Sequence, residues 1–123
     1  MLLVARSRSR WSLPGGTIRR SESPLDAARR ELEEETSLAE AELTYVFQFA
    51  GFSKLHHVFV VNIRPDVSPR PCNEIIRCRW FSPTKIATLC TSVPTRGIVD
   101  LFVRYENVQE ISSTSTSGVT CTT

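Results

Sequence analysis

Long apolar stretches are missing from this sequence of 123 residues, whose longest uncharged apolar run is only a few residues. A bilayer-spanning helix needs roughly 20, so a transmembrane protein is not expected. Met1-Leu2-Leu3-Val4-Ala5 is too short for a signal-peptide core, and Arg6, Arg8 and Arg10 follow it rather than precede it. A cytoplasmic chain is expected. Cysteine is sparse: Cys72, Cys78, Cys90 and Cys121 form no CxxC pair and have no ligand-like spacing to His56 or His57. Reduced thiols are the reading, rather than a disulfide framework or a zinc site. The two histidines lie in an apolar run and read as strand residues. Lysine is scarce as well. Thirteen of the fifteen basic residues are arginine, whose planar fork suits phosphate oxygens.

What is present is an ordinary globular composition, 41% hydrophobic and 23% charged, which argues against a wholly disordered or fibrous chain. The length favours one domain around one core. The net charge of +2 hides an uneven distribution. Between Glu22 and Glu42 lie eight of the thirteen acids against only Arg29 and Arg30, while the remainder of the chain is strongly basic. A dense acidic segment in a basic chain fits a cation site facing a polyanionic ligand. It also fits a solvated helix, and charge alone does not choose.

No internal repeat is present. Leu2 to Ala5 reads as a short strand, and Trp11-Ser12-Leu13-Pro14-Gly15-Gly16 combines an aromatic anchor with strong turn punctuation. Ser23-Pro24-Leu25-Asp26 is a helix start, with Ser23 as N-cap and Pro24 at the first helical position. Good helix formers carry that helix to about Thr36. Leu43, Tyr45, Phe47 and Phe49 alternate with more polar residues, predicting a strand with one aromatic face. His57 to Ile63 predicts a strand buried on both faces. Ile75 to Phe81 predicts a third, Ser82-Pro83 caps a short helix, and Thr95 to about Gln109 predicts a final helix. The domain is expected over residues 1–110, and the Ser/Thr-rich segment 111–123 reads as a disordered tail.

On a helical wheel at about 100° per residue, Glu31, Glu34 and Glu35 share an arc of roughly 100°. Leu25, Ala28 and Leu32 form an adjacent apolar stripe that would dock the helix on a sheet. Glu33 falls on the far side, where Arg29–Glu33 makes a solvent-facing pair. Three like charges on one face destabilise a helix unless something neutralises them. A hard divalent cation such as Mg²⁺ or Mn²⁺ does so through carboxylate oxygens.

From Gly16 the sequence runs through five residues to Glu22, then through seven to Arg30-Glu31-Leu32-Glu33-Glu34-Glu35-Thr36-Ser37-Leu38. This closely resembles the signature of the Nudix hydrolase family, and Trp11 to Gly16 and Arg79-Trp80-Phe81-Ser82-Pro83 are similar to its flanks. The resemblance implies an α/β/α sandwich around a mixed sheet. It also implies Mg²⁺- or Mn²⁺-dependent cleavage of a nucleoside diphosphate linked to another moiety, a nucleotide pyrophosphate substrate. By position, Glu34 and Glu35 match the metal-binding glutamates, and Glu31 the one that binds metal or handles the proton of the attacking water. Arg30 matches the arginine that orients them, and Glu22 the residue that supports the loop or a further metal. The Gly16 carbonyl, beside Gly15, is implied in the coordination shell, and Glu74 is the candidate for a glutamate from a later loop. Arg19 and Arg20 are candidate phosphate contacts, with surface solubility as the other reading. The Arg6/Arg8/Arg10 ladder invites the same two readings, of which the solvated one is preferred.

Two features depart from the family pattern. Ser37 stands where the motif has glycine, at a position that commonly needs positive φ, which costs serine about 1 kcal/mol. The strand that usually precedes the segment matching Leu2 to Ala5 is not in this sequence, so a fold lacking its first strand is expected. Phe47, Phe49, Phe52 and Trp80 read either as core or as stacking partners for a base. Three functional readings follow. The first is a metal-dependent hydrolase of NTP-like substrates. The second is a catalytically weak Nudix-like module binding nucleotides or RNA through arginines, with nucleic acid not favoured. The third is an inactive fragment. A homodimer is compatible with each.

Overall fold

The structure, a computed structural model, describes residues 1–64, 66–109 and 116–122. In chain order the elements are β1 (Leu2–Ala5), β2 (Gly15–Thr17), α1 (Pro24–Thr36), β3 (Glu42–Ala50), β4 (Leu55–Asn62), β5 (Arg77–Trp80), α2 (Pro83–Ile86), α3 (Val93–Gln109) and β6 (Thr116–Thr122). A four-stranded mixed sheet runs β2-β6-β4-β3, with β2 and β6 parallel and the other neighbours antiparallel. β1 and β5 form a separate antiparallel pair, Leu2 opposite Trp80 and Ala5 opposite Arg77.

Two apolar clusters build the layers. On one face of β4, Phe59 and Val61 pack with Ala27, Ala28 and Leu32 of α1 and with Leu2. On the other, Val58 packs with Trp11, Leu13, Ile86 of α2, and Ile98 and Val99 of α3. One helix lies on one side of the sheet and two on the other, the α/β/α sandwich expected from the sequence. Gly97 lets α3 approach the sheet closely, since a Cβ there would lie 2.5 Å from the ring of Phe49.

Helix α1 begins as its sequence dictates. The Ser23 hydroxyl accepts from the backbone N–H of Asp26 at 3.1 Å, and Pro24 opens the helix. Its buried arc is rotated from the expected stripe. Ala27, Ala28 and Leu32 are fully buried while Leu25 is exposed. On the wheel this centres the buried arc near +30° from Glu31, which places Glu35, at about +40°, in its middle. Arg29 turns to Asp26, at 4.0 Å, in place of the expected Glu33.

The aromatic face predicted for β3 is split. The register shifts between Tyr45 and Phe47, so Tyr45 opposes Phe59 and Phe47 opposes Val58. A bulge inserts one residue and re-aims the side chains beyond it. Leu43 therefore joins the α1 cluster, and Phe47 and Phe49 the α3 cluster. The strand expected from Ile75 to Phe81 is shortened to Arg77–Trp80.

The largest departure is at the C-terminal end. Thr116–Thr122, expected within a disordered tail, is β6, an interior strand of the sheet. It pairs with β4 from His56↔Thr122 to Asn62↔Thr116, and with β2 from Gly15↔Thr120 to Thr17↔Thr122. Composition favoured disorder because the segment has little apolar surface. Backbone pairing on both edges, together with β-branched threonine and valine, favours the strand. Residues 111–115 and 123 of the expected tail lie outside the described residues.

Candidate functional site

Arg30, near the middle of α1, anchors one half of the site. Its Nε and Nη2 donate to the two carboxylate oxygens of Glu22 at 2.7 and 2.9 Å, a bidentate fork. Its Nη1 donates to Glu31 at 2.8 Å and reaches Glu34 at 3.4 Å, and Nη2 also donates to the Thr17 carbonyl at 3.2 Å. One guanidinium thus ties the loop before the helix, the helix face and the end of β2 into a single frame. The fork from Arg30, aided by the Arg19 backbone N–H, holds the Glu22 carboxyl down at about 2. The hydrogen bonds to Glu22 and Glu31 in turn push Arg30 further up from its already high value.

Glu31 is seated against the glycine pair. A Cβ on Gly16 would lie 2.6 Å from its Cδ and Oε1. The sequence Gly15-Gly16 therefore opens β2 with a surface bare enough for a carboxylate to lie flat on it.

Glu35 forms the second half. It is fully buried, in the middle of the apolar arc of α1. Its Oε1 accepts the Gly15 N–H at 2.7 Å, and its Oε2 accepts from Arg6 Nη2 at 2.6 Å. Burial pushes its carboxyl up to about 7, opposed by the Gly15 N–H and by Arg6 and reinforced by the negative charges of Glu31 and Glu74. Arg6 Nη2 also donates to the Gly15 carbonyl at 3.2 Å and lies 4.0 Å from Glu74.

The C-terminal turn of α1, which carries these glutamates, is held by a loop distant in sequence. Ser37 adopts φ 65°, as the motif's glycine position requires, and its N–H donates to the Glu33 carbonyl. The last carbonyls of a helix have no partner within it. Here Asn73 Nδ2 donates to the Glu34 carbonyl, the Cys72 N–H to that of Glu35 and the Arg70 N–H to that of Thr36, at 2.6, 3.1 and 2.9 Å. The Ser37 hydroxyl contacts Cys72 Sγ at 2.8 Å.

The structure thus gathers Gly15, Gly16, Glu22, Arg30, Glu31, Glu34, Glu35 and Glu74. Arg19 stands at the rim, 3.8 Å from Glu34. Arg20 is exposed and is not brought into the cluster. The Gly15 carbonyl accepts from Arg6 and its N–H donates to Glu35, while Gly16 makes room for Glu31. Among the described residues no group of three or more carboxylate, thiol or imidazole side chains converges as a ready metal cage. Arginines hold the carboxylates apart. The donor set still fits a hard divalent cation: a buried carboxylate whose charge is felt by Glu31 and Glu74, beside a backbone carbonyl.

Sequence reasoning missed Arg6, set among three alternating arginines whose directions depend on the turn that follows β1. It missed the Arg70–Asn73 loop, which nothing local links to α1. It also set aside His56, which is buried and whose Nδ1 has no hydrogen-bond partner among the described residues. Burial, Lys54 and His57 all push this imidazole down, towards its neutral form. His56 lines a cavity of about 440 Å³ next to the carboxylates, along with Arg6, Arg10, Ser12, Gly15 and Ile98. Phe47 and Phe49 belong to the core, whereas Phe52 is fully exposed and Trp80 partly so.

A family model described as NUDIX domain matches residues 1–102. A solved structure of a protein from Chromobacterium violaceum, assigned to the nudix hydrolase family, superposes with a TM-score of 0.75 at 31% identity, covering 86% of this chain and 69% of that one. The RNA pyrophosphohydrolase of Bartonella henselae is 62% identical over 34 residues, 28% of this chain and 20% of that protein. The CMP-5'-(N-acetyl-N-hydroxy-3-aminopropyl)phosphonate hydrolase of Streptomyces rubellomurinus is 29% identical over 87 residues, 67% of this chain and 42% of that protein. The chain spans less than half the length of these two curated relatives.

Proposed function

The chain belongs to the Nudix family, and from that premise we propose that it is a divalent-metal-dependent hydrolase of nucleotide pyrophosphates. Its substrate is a nucleoside diphosphate linked to another moiety, cleaved by water. The observation that carries this reading is the paired arrangement on α1. Arg30 fixes Glu31 and Glu34 on one side, and the Gly15 N–H fixes the buried Glu35 on the other.

A pyrophosphate resists attack because its oxygens repel an incoming anion. Mg²⁺ or Mn²⁺, the metals expected for this family, would neutralise that charge and make water more acidic. Glu35, Glu34, Glu31 and the Gly15 carbonyl would hold the metal, with Glu74 reaching in from its loop. The chain's own contribution is positioning. Arg30 keeps Glu31 directed at the site, where it can accept a proton from the attacking water. Glu22, locked in the Arg30 fork, braces the loop. Arg19 at the rim and the neighbouring Arg6 and Arg10 add positive charge where phosphate oxygens would lie.

The test is cleavage of a panel of nucleoside triphosphates, NDP-linked compounds, RNA and a CMP-linked phosphonate, read as phosphate released by a coupled pyrophosphatase or phosphatase and as nucleotide product by chromatography, with Mg²⁺ or Mn²⁺ and with chelator. RNA and the phosphonate are included because of what the two curated relatives are named for. Metal-dependent turnover that disappears in Glu34→Gln is expected. A folded protein silent on every substrate would defeat the proposal and leave a nucleotide- or RNA-binding module as the better description.

A further inference from the structure

The oxygens best placed to hold a cation are already in contact with a positive charge from this chain. Arg6 Nη2 lies 2.6 Å from Glu35 Oε2, 3.2 Å from the Gly15 carbonyl and 4.0 Å from Glu74 Oε1. A carboxylate, a backbone carbonyl and a second carboxylate converge on one nitrogen, the oxygen set that a hard divalent ion takes. Guanidinium and metal cannot share those oxygens, because like charges a few ångströms apart in a partly buried site repel strongly.

We propose that Arg6 is a resident counter-ion of this site, held on Glu35 and the Gly15 carbonyl until a divalent cation replaces it. The inference rests on the metal-dependent reading above and assigns a role within it that the motif does not contain.

The two partners are unequal. Glu35 is fully buried and fixed from its other oxygen by the Gly15 N–H, so it has nowhere to go. The Arg6 side chain is 43% exposed and lines the cavity of about 440 Å³ that also presents Arg10, Ser12 and His56. It can leave its carboxylate without crossing the core. Among the described residues its one further contact is with the Ser12 hydroxyl, at the long distance of 3.4 Å. Arg30 is the contrast: its side chain is only 18% exposed and bonded to Glu22, Glu31 and the Thr17 carbonyl at once. One arginine is a strut and the other is exchangeable.

The exchange solves a folding problem. Without any cation, the Glu35 carboxylate would be an unpaired charge among apolar residues, a form that burial strongly disfavours. Arg6 supplies that cation in the metal-free chain. When metal binds, Arg6 swings into the cavity, on the side where a polyanionic ligand would meet it. Metal occupancy and an added positive charge in the cavity are therefore linked.

The test is Mn²⁺ titration of metal-free protein, read from the EPR signal of free Mn²⁺. Arg6→Gln is expected to bind Mn²⁺ about tenfold more tightly than wild type, since no guanidinium has to be displaced. A merely structural role for Arg6 predicts the opposite sign, because a disordered Glu35 would bind metal less well. Equal or weaker binding by Arg6→Gln therefore overturns the proposal. Wild-type protein gives a second readout that does not depend on how the variant folds. Its arginine Nε–H NMR signals are assigned through Arg6→Lys, and Mg²⁺ should then shift Arg6 while leaving Arg30 in place. An Arg6 signal unmoved at saturating Mg²⁺ overturns the displacement, with the metal site intact. If neither wild type nor Arg6→Gln binds Mn²⁺, the metal-dependent reading itself fails, and this inference with it.

Discussion

Replacing Gly16 by alanine isolates the geometry of Glu31 from every other property of the site. Gly16 is not among the positive-φ residues, so alanine fits its backbone conformation. That change alone would stabilise the chain by about 0.4–1 kcal/mol through the unfolded state. The added Cβ, however, would lie 2.6 Å from Glu31 Cδ and Oε1 and 2.8 Å from Oε2, where ordinary contact begins near 3.4 Å. The carboxylate must retreat by about 0.8 Å. It is not a loose surface group that can do so freely, because it is 12% exposed and held by Arg30 at 2.8 Å. Either that bond stretches or Arg30 follows, disturbing its fork with Glu22. Forcing one methyl into such a contact costs about 1–3 kcal/mol. The net loss of roughly 1–2 kcal/mol corresponds to a melting point lower by roughly 3–10 °C.

The effect on activity should be larger than the effect on stability. A displacement near 1 Å at a catalytic group lowers the rate by about 10²-fold. The assay is kcat/KM on the best substrate of the panel, alongside a thermal melt of the same preparation. Combining Gly16→Ala with Glu31→Asp should restore the melting point, because the shorter side chain clears the methyl, without restoring turnover. A Gly16→Ala enzyme within threefold of wild type would refute the reasoning, since it would mean that the seating of Glu31 on this glycine does not set its reactive position.

Three further outcomes follow from the same structure. Glu35 has a folded-state pKa raised from 4.5 to about 7, so the metal-free protein binds more protons when folded. Its contribution is fully present below about pH 4.5 and is lost as pH rises through 7, up to about 3 kcal/mol; melting points from pH 4.5 to 8 without metal should decline, and Glu35→Gln should flatten that slope. Ending the chain after residue 110 removes β6 and leaves β2 and β4 without the strand between them; loss of several kcal/mol is expected from the ladder alone, seen as a lower melting point or aggregation, and an unchanged melt would show that β6 does not belong to the stable fold. Ser37→Gly relieves about 1 kcal/mol of left-handed strain and gives up only the contact with Cys72; a melting point raised by a few degrees is expected, and a lowered one would show that the serine–cysteine contact outweighs the strain.

The parts of the site that were legible in the sequence are those fixed by local spacing. Helix α1 is delimited by its own cap, and 3.6 residues per turn set which of Arg30, Glu31 and Glu34 can meet. Ser37 was legible for the same reason: one residue past the helix, a left-handed conformation is demanded whatever the side chain. Leu25 and the aromatic face of β3 mark where local pattern misled. The helix is rotated to bury Ala27 in place of Leu25, and the bulge after Tyr45 exchanges the faces of the strand. Both follow from how α1 and β3 meet β4, which no single segment encodes.

The same distinction separates the two arginines and explains why only one was found. Arg30 meets Glu31 and Glu34 along one helix and Glu22 across one short loop, so its role is written in spacing. Arg6 meets Glu35 across 29 residues of chain, and three things must hold before it can do so. β1 must pair with β5, α1 must bury Glu35, and the turn after Ala5 must point the first arginine of an alternating ladder inward. None of these has a local signature. The ones that fix Arg30 make it permanent, with partners on every donor. The long-range ones leave Arg6 with a half-exposed side chain on a fully buried carboxylate, a contact strong enough to satisfy Glu35 and open enough to be exchanged. The illegibility of Arg6 and its capacity to be displaced have one physical source: it is bound to the site by tertiary geometry alone.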